Sequence, residues 1–264
     1  MAYKNITLEI NESVAVITFN RPKALNALNG ELLGEFSQAL DEIVDGGDAR
    51  VLILTGSGDK AFAAGADIKE LNTLDPLGAR FFAKKGQDII GRLTQIPIPA
   101  IAAVNGFALG AGTEMALACD FIYASEKAMF GLPEITLGIL PGYGGTQRLA
   151  KLTGINVARE MIFTGKMISA AEAKELNIVN KVCSEVSLMD EVMKTAGKIK
   201  KMGRVSLREA KQAVNRGMET DLVTACFLEN DAFSICVASE DFKEGTDAFI
   251  EKRKPAFKGK LNSQ

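Results

Sequence analysis

Residues 112–138 read GTEMALACDFIYASEKAMFGLPEITLG, and this stretch decides how the chain is built. Gly110-Ala111-Gly112 forms a small-residue turn, and the residues after it, as far as Ala118, have helical character. DFIYAS and the shorter AMFG read as strands. The stretch is mostly apolar or small, yet Glu114 sits in the first turn of the helix. Glu134 follows Pro133 directly, amid Phe130, Leu132, Ile135 and Leu137.

Working outward, the same order of strand, small-residue turn and helix recurs. ITLEI and VAVITF flank Asn-Glu-Ser and predict a hairpin. LNGELLGEFSQALDEIV has apolar residues at helical spacing. VLILTG is a short buried strand ending at Gly56. KAFAAGADIKELNTL passes from small residues into a helix, residues 77–96 predict another, and residues 97–104 a buried strand. Downstream, PGYGGTQRLAKLTG opens a helix. ISAAEAKEL begins with a capping box of Ser169 and Glu172, and IVNKVC is a further strand. From about Leu188 the pattern is helical throughout. Strands and helices mixed first, then helices alone, predict an α/β core over residues 1–195 and a helical part over 196–264.

The 264 residues are 47% apolar, enough for a large core, and the net charge of −2 gives no field for nucleic acid or an anionic membrane. With no histidine in the chain, Ser-His and Cys-His nucleophile pairs and most zinc sites are excluded. Acid–base work then falls to Asp, Glu, Lys, Tyr or Cys. Cys119, Cys183, Cys226 and Cys236 are widely spread, without a CxxC, and read as buried free thiols of a cytoplasmic protein. The N-terminus has no signal-peptide pattern, and the longest apolar stretch is broken by Pro, Asn and Gly, unlike a membrane span.

Two glycine-rich segments invite comparison with phosphate-binding loops. Gly110 to Met115 starts like the dinucleotide fingerprint but fails at its sixth position, which keeps an NAD(P)-binding oxidoreductase as a weak alternative. Residues 141–148, PGYGGTQR, lack the Lys-Ser/Thr of an NTPase loop. Small-residue turns that enter helices also expose backbone N–H groups. The turns at Ala64-Gly65-Ala66-Asp67 and Gly110-Ala111-Gly112 can aim such groups at one oxygen, an oxyanion hole suited to a thioester enolate. A carboxylate early in a helix is often only a dipole partner, and one after a proline often only a loop acid. Both together in apolar surroundings point to a pair in which one accepts a proton and the other donates one.

At these residues the chain resembles the enoyl-CoA hydratase/isomerase family, the crotonases. The matches are NRPKALNAL (residues 20–28), AFAAGADIKEL (61–71), PAIAAVNGFALGAGTEMALACD (99–120), FGLPEITLGILPGYGGTQRL (130–149) and AFIEKRK (248–254). The resemblance is closest to short-chain enoyl-CoA hydratases. It implies a spiral of β-β-α turns with a C-terminal helical trimerisation region, trimers pairing into hexamers, and the hydration step of fatty-acid β-oxidation. It assigns Glu114 to activating water and Glu134 to supplying the proton to Cα. The oxyanion N–H groups fall to Ala66 and Ala111, and Gly142 lies beside the catalytic water. Coenzyme A, part of the substrate and not a cofactor, is expected along Lys23, Ala24 and Leu25, with its adenine near Ala64, Asp67 and Ile68. Phe249 and Lys252 are expected to reach a neighbouring subunit's CoA. Arg253, Lys254, Lys258 and Lys260 read as surface charge. No metal or redox cofactor is called for.

Two departures stand out. Many hydratases carry Gly-Gly-Gly-Cys-Glu where this chain has Gly110-Ala111-Gly112-Thr113-Glu114; Ala111 keeps the N–H, and its methyl group is expected to narrow the acyl pocket. Leu132 stands where a Gln often precedes the Pro-Glu pair, which should raise the pKa of Glu134. Double-bond isomerases of the family often keep one acid, so two acids favour hydration. A hydratase for branched or aromatic acyl groups and a non-catalytic RNA- or protein-binding member remain open alternatives.

Overall fold

The computed structural model describes residues 3–259, so Lys260 lies outside the described residues. Strands β1 (Ile6–Asn11) and β2 (Val14–Phe19) form the expected antiparallel hairpin. Its two turn residues, Glu12 and Ser13, both have positive φ, +46° and +66°. That turn geometry matches the twist of the strands it joins. Helix α1 (Gly30–Gly46) starts at Asn29, whose side chain accepts the Leu32 N–H, and buries Leu32, Leu33, Phe36 and Leu40 along one stripe.

Three β-β-α turns follow. The first is β3 (Val51–Gly56), β4 (Ala61–Ala64), then α2 (Ile68–Leu71) and α3 (Pro76–Gln95). The second is β5 (Ala100–Val104), β6 (Phe107–Leu109) and α4 (Ala111–Ala118). The third is β7 (Phe121–Ser125), β8 (Met129–Gly131), then α5 (Gly145–Thr153) and α6 (Ile155–Thr164). The first strand of each turn joins one sheet, of order β1-β2-β3-β5-β7 with one further strand, and the second strand joins another. After these come β9 (Met167–Ser169), which pairs antiparallel to β8, α7 (Ala170–Glu175) and β10 (Lys181–Cys183), which completes the larger sheet beside β7. Ser169 and Glu172 form the predicted capping box. Helices α8 (Leu188–Ile199), α9 (Arg204–Gly217), α10 (Leu222–Val237) and α11 (Glu240–Ile250) end the chain.

Strands β4 and β6 are where the structure departs from the sequence reading, which assigned no strand to either segment. AFAA and FAL are too short for an alternating pattern and contain little β-favouring side chain. Pairing makes them strands: β6 lies between β4 and β8, parallel to both. The chain crosses between the sheets at tight corners. A Cβ at Gly106 would sit 2.2 Å from the Lys60 carbonyl oxygen. Asn105 locks the adjacent corner, donating from Nδ2 to the carbonyls of Gly56 and Gly58, each at 2.9 Å.

α8 covers the larger sheet with Leu188, Val192 and Ala196 against Val14, Val51, Ile53 and Ile101, and residue 195 falls within this helix. α9 is pinned to the core by Lys211, only 8% exposed. Its ammonium donates to the carbonyls of Leu93 (2.7 Å) and Ile98 (2.9 Å) and pairs with Asp120 at 2.9 Å. All three of its donors are engaged, which is what makes a buried lysine tolerable. α10 buries none of its residues, and Leu222, Val223, Phe227 and Phe233 are well exposed. The expectation of four buried thiols is corrected here: Cys119 and Cys183 are buried, but Cys226 is exposed on α10 and Cys236 is half-buried. Among the described residues no single helix is long and apolar enough to cross a membrane.

Because the contact at Gly106 is with backbone, it cannot relax by a rotamer change. Gly106→Ala is expected to destabilise the fold by about 3 kcal/mol in urea unfolding, at the upper end for overpacking. A loss below about 0.5 kcal/mol would mean the corner is looser than this geometry.

Candidate active site

The three β-β-α turns bring their second strands and helix starts around one cavity of about 750 Å³. Ala64, Gly65, Ala66 and Ile68 line it from the first turn, and Leu109, Gly110, Ala111 and Glu114 from the second. Pro133, Glu134, Gly142 and Tyr143 come from the third, and Leu71, Leu74, Phe82, Ile135, Leu137 and Leu140 make much of the remaining wall apolar.

Glu114 occupies the first turn of α4 and is 1% exposed. Its Oε1 accepts the N–H groups of Tyr143 (2.8 Å) and Gly145 (2.7 Å). Oε2 has no protein donor among the described residues. Burial pushes the carboxyl pKa upward, while the Gly145 and Tyr143 N–H groups and the more distant Arg148 charge pull it down. The donors are held from outside the cavity. Gln87 donates to the Gly142 carbonyl at 2.9 Å, and Arg148 donates to the Tyr143 carbonyl at 2.8 Å.

Glu134 lies in the 3-10 turn Pro133–Leu137 and is half-buried. Leu132 beside it is fully buried, as its apolar character requires. One carboxyl oxygen faces Gly110, where a Cβ would lie 2.9 Å away; the other, Oε2, is buried with no partner. Burial, helped by the nearby charge of Glu114, raises its pKa from 4.5 to about 7. Gly110 also has φ +51° and ψ −122°, a backbone that L side chains rarely adopt. So the residue that opens α4 both turns the chain and leaves room for the second acid.

Gly110 at the N-cap leaves the Ala111 N–H without an intrahelical acceptor. Just beyond β4, Ala66 forms an isolated parallel bridge with Leu28: Leu28 donates to the Gly65 carbonyl and Asp67 to the Leu28 carbonyl, each at 2.9 Å. That pairing leaves the N–H of Ala66 outside the ladder. Among the described residues, no protein acceptor takes the N–H of Ala66, Ala111 or Gly142. Thr113, in the departure from the common family sequence, stitches α4 down by donating to the Ala108 carbonyl and contacting the Gly131 carbonyl at 2.9 Å.

Of the residues singled out from sequence, Ala64, Ala66, Ile68, Ala111, Glu114, Glu134 and Gly142 therefore meet at one cavity. Lys23, Ala24 and Leu25 do not line it but lie on the adjoining exposed loop, where the Leu25 carbonyl accepts the Ala64 N–H at 3.0 Å. Asp67 is engaged by Arg21 at 3.0 Å and by the Lys69 N–H, and the hydrogen bond from Arg21 lowers its pKa. Phe249 and Lys252 are exposed on α11 and just beyond it, away from the cavity lining. Sequence reasoning missed Tyr143, Gly145, Gln87 and Arg148. The signal for the first two was the run Tyr-Gly-Gly, whose small residues let backbone donors approach a carboxylate. Tyr143 is 2% exposed, its ring 5.5 Å from Phe82 and its hydroxyl buried without a partner. It fits only because α3 has Gly86 there: a Cβ at that position would lie 2.1 Å from the ring. Among the described residues no group of three or more Cys, Asp or Glu side chains is placed to hold a metal ion.

Comparisons with known proteins find the same fold and a family to go with it. The family model described as enoyl-CoA hydratase/isomerase matches residues 9–260, and the chain belongs to that family. It is 48% identical to the crotonyl-CoA hydratase of Syntrophomonas wolfei, covering 97% of this chain and 99% of that protein. It is 46% identical to the short-chain-enoyl-CoA hydratase of Clostridium acetobutylicum, covering 96% and 97% respectively. The solved structure of an enoyl-CoA hydratase from Bacillus anthracis superposes with a TM-score of 0.93 at 42% identity, over 97% of this chain and 100% of that one.

The raised pKa of Glu134 has a consequence for stability. Between about 4.5 and 7 the folded protein holds a proton that the unfolded chain has released. Stability from this group is therefore present below that window, falls as pH rises through it, and stays lowered above it. Glu134→Gln is expected to be more stable than the parent at pH 8 by about 2 kcal/mol, allowing for partial exposure, and equal to it at pH 4. Urea unfolding at the two pH values measures this, and an advantage of the same size at both would assign the effect to something other than ionisation.

Proposed function

We propose that this protein is an enoyl-CoA hydratase, adding water reversibly and syn to a trans-2-enoyl-CoA to give a 3-hydroxyacyl-CoA. The observation that carries this reading is the placing of two differently held carboxylates and two unengaged N–H groups around one largely apolar cavity. In the proposed step, Oε2 of Glu114 takes a proton from a water that rests on the Gly142 N–H. The water oxygen adds to Cβ of the enoyl group. Charge passes to the thioester oxygen between the N–H groups of Ala66 and Ala111, which stabilise the enolate. Glu134, with a pKa near neutrality, supplies the proton to Cα. Retention of both acids favours hydration over double-bond migration, and the names of the two relatives above agree with it.

The surface loop of Lys23, Ala24 and Leu25 is proposed to carry the pantetheine and diphosphate of CoA, with the adenine by Ala64, Asp67 and Ile68. Asp67, held by Arg21, shapes that site. The uncovered apolar face of α10 supports a homo-oligomer, trimeric or a pair of trimers, in which Phe249 and Lys252 stand beside a neighbour's CoA. Four unpaired cysteines agree with a reducing, cytoplasmic setting.

Hydration of crotonyl-CoA and of a longer enoyl-CoA, followed as loss of the enoyl-thioester absorbance, tests the reading. Glu114→Gln and Glu134→Gln are each expected to lose about 10³-fold or more in turnover while remaining folded. Retained hydration by either variant would sink the two-carboxylate assignment.

A further inference from the structure

Against the loop that grips Glu114 lies an ionic group that the proposed chemistry does not use. Arg148, in the first turns of α5, is half-buried, and among the described residues it belongs to no ion pair. Its Nη1 donates to the Tyr143 carbonyl at 2.8 Å. That carbonyl belongs to the peptide lying between the two N–H groups that hold Glu114, those of Tyr143 and Gly145. The guanidinium fits against the loop only because residue 144 is glycine: its φ is +102°, and a Cβ there would meet Nη1 at 2.4 Å.

We infer that Arg148 is a positioning residue for hydration: it fixes the Tyr143–Gly144 peptide, and with it the donors that hold Glu114, and its charge lowers the cost of ionising that buried acid. This rests on the proposed hydratase reading and deepens it. Two carboxylates sharing a cavity cannot ionise equally, and some asymmetry must choose between them. Glu134 has an unpartnered buried oxygen and no cation against it. Glu114 has two backbone donors and Arg148. The groups facing Glu114 are few. Arg148 comes from α5, Glu134 from the 3-10 turn and the Tyr143 phenol from the loop. The Cys119 thiol, on α4's own end, lies near Arg148. α3 contributes Gly86, Ile89 and Ile90, while its Lys84, Lys85 and Asp88 are exposed. β4 and β6 contribute no titratable side chain. Arg148 is thus the cation that distinguishes the two acids.

The test is the pH profile of kcat/KM for crotonyl-CoA hydration by the full-length enzyme, Arg148→Met and Arg148→Lys, with oligomeric state and circular dichroism checked for each. Loss of the positive charge leaves Glu114 harder to ionise, so in Arg148→Met the acid limb should move up by about one pH unit. Its kcat should fall about 10- to 100-fold, with KM within about twofold. Arg148→Lys should restore the limb to its original pH without restoring all of kcat, since an ammonium lacks the planar fork. An Arg148→Met enzyme that is slower but has an unmoved acid limb would reduce Arg148 to a structural prop and overturn the inference. If Arg148→Met does not fold, Arg148→Gln, which is uncharged but keeps a donor for the Tyr143 carbonyl, takes its place: an acid limb moved up supports the inference, and an unmoved limb overturns it. Absence of hydration by the unaltered enzyme, with short and longer esters alike, would instead remove the hydratase reading itself.

Discussion

A carboxylate that is 1% exposed needs hydrogen-bond donors wherever the chain can bring them, and much of this structure follows from that need at Glu114. The donors are N–H groups of residues 143 and 145, some thirty positions downstream. To deliver them, the third β-β-α turn must close back over the helix of the second. That closure needs Gly145, where a Cβ would meet the Glu114 side chain at 2.9 Å, and it needs the loop carbonyls secured by Gln87 and Arg148. Helix α4 must in turn be held where Glu114 can be reached. Thr113 ties it to both neighbouring strands, and Asp120, just beyond it, ties the same segment to Lys211 of α9. The C-terminal helices are therefore connected to the site's foundation through one buried ammonium.

The two acids differ because the chain enters them differently. Glu114 sits inside a regular helix, where position is fixed and donors converge. Glu134 sits on a 3-10 turn after a proline, with a buried leucine on one side and a glycine on the other. Such a turn offers little backbone to bond a carboxyl, so burial governs its proton affinity. Opposite surroundings for one residue type arise here from secondary structure.

Periodicity carried most of the fold into view. The hairpin, α1, α3, β3 and β5 all have long or strongly buried patterns, and each lies close to where the sequence places it. β4 and β6 did not, because an Ala-rich strand of three or four residues owes its conformation to its neighbours in the sheet. The cavity residues were legible for a similar reason: acids in apolar surroundings and small residues ahead of helices are local signals, and the family resemblance added to them. Tyr143, Gly86, Gln87 and Arg148 were not legible. Each acts through a partner distant in sequence, Gln87 on residue 142 and Gly86 on residue 143, and no local pattern reports such a meeting.

The interlock of Tyr143 with Gly86 bears on how this protein can change over time. The ring fills the space that a side chain on α3 would take, so neither position is free alone. A larger residue at 86 is tolerated only after the ring has gone, and a smaller residue at 143 leaves a void until 86 has grown. Descendants that reshape this side of the cavity must pass through a strained or a hollow intermediate, which makes the pair a ratchet on the evolution of the cavity wall.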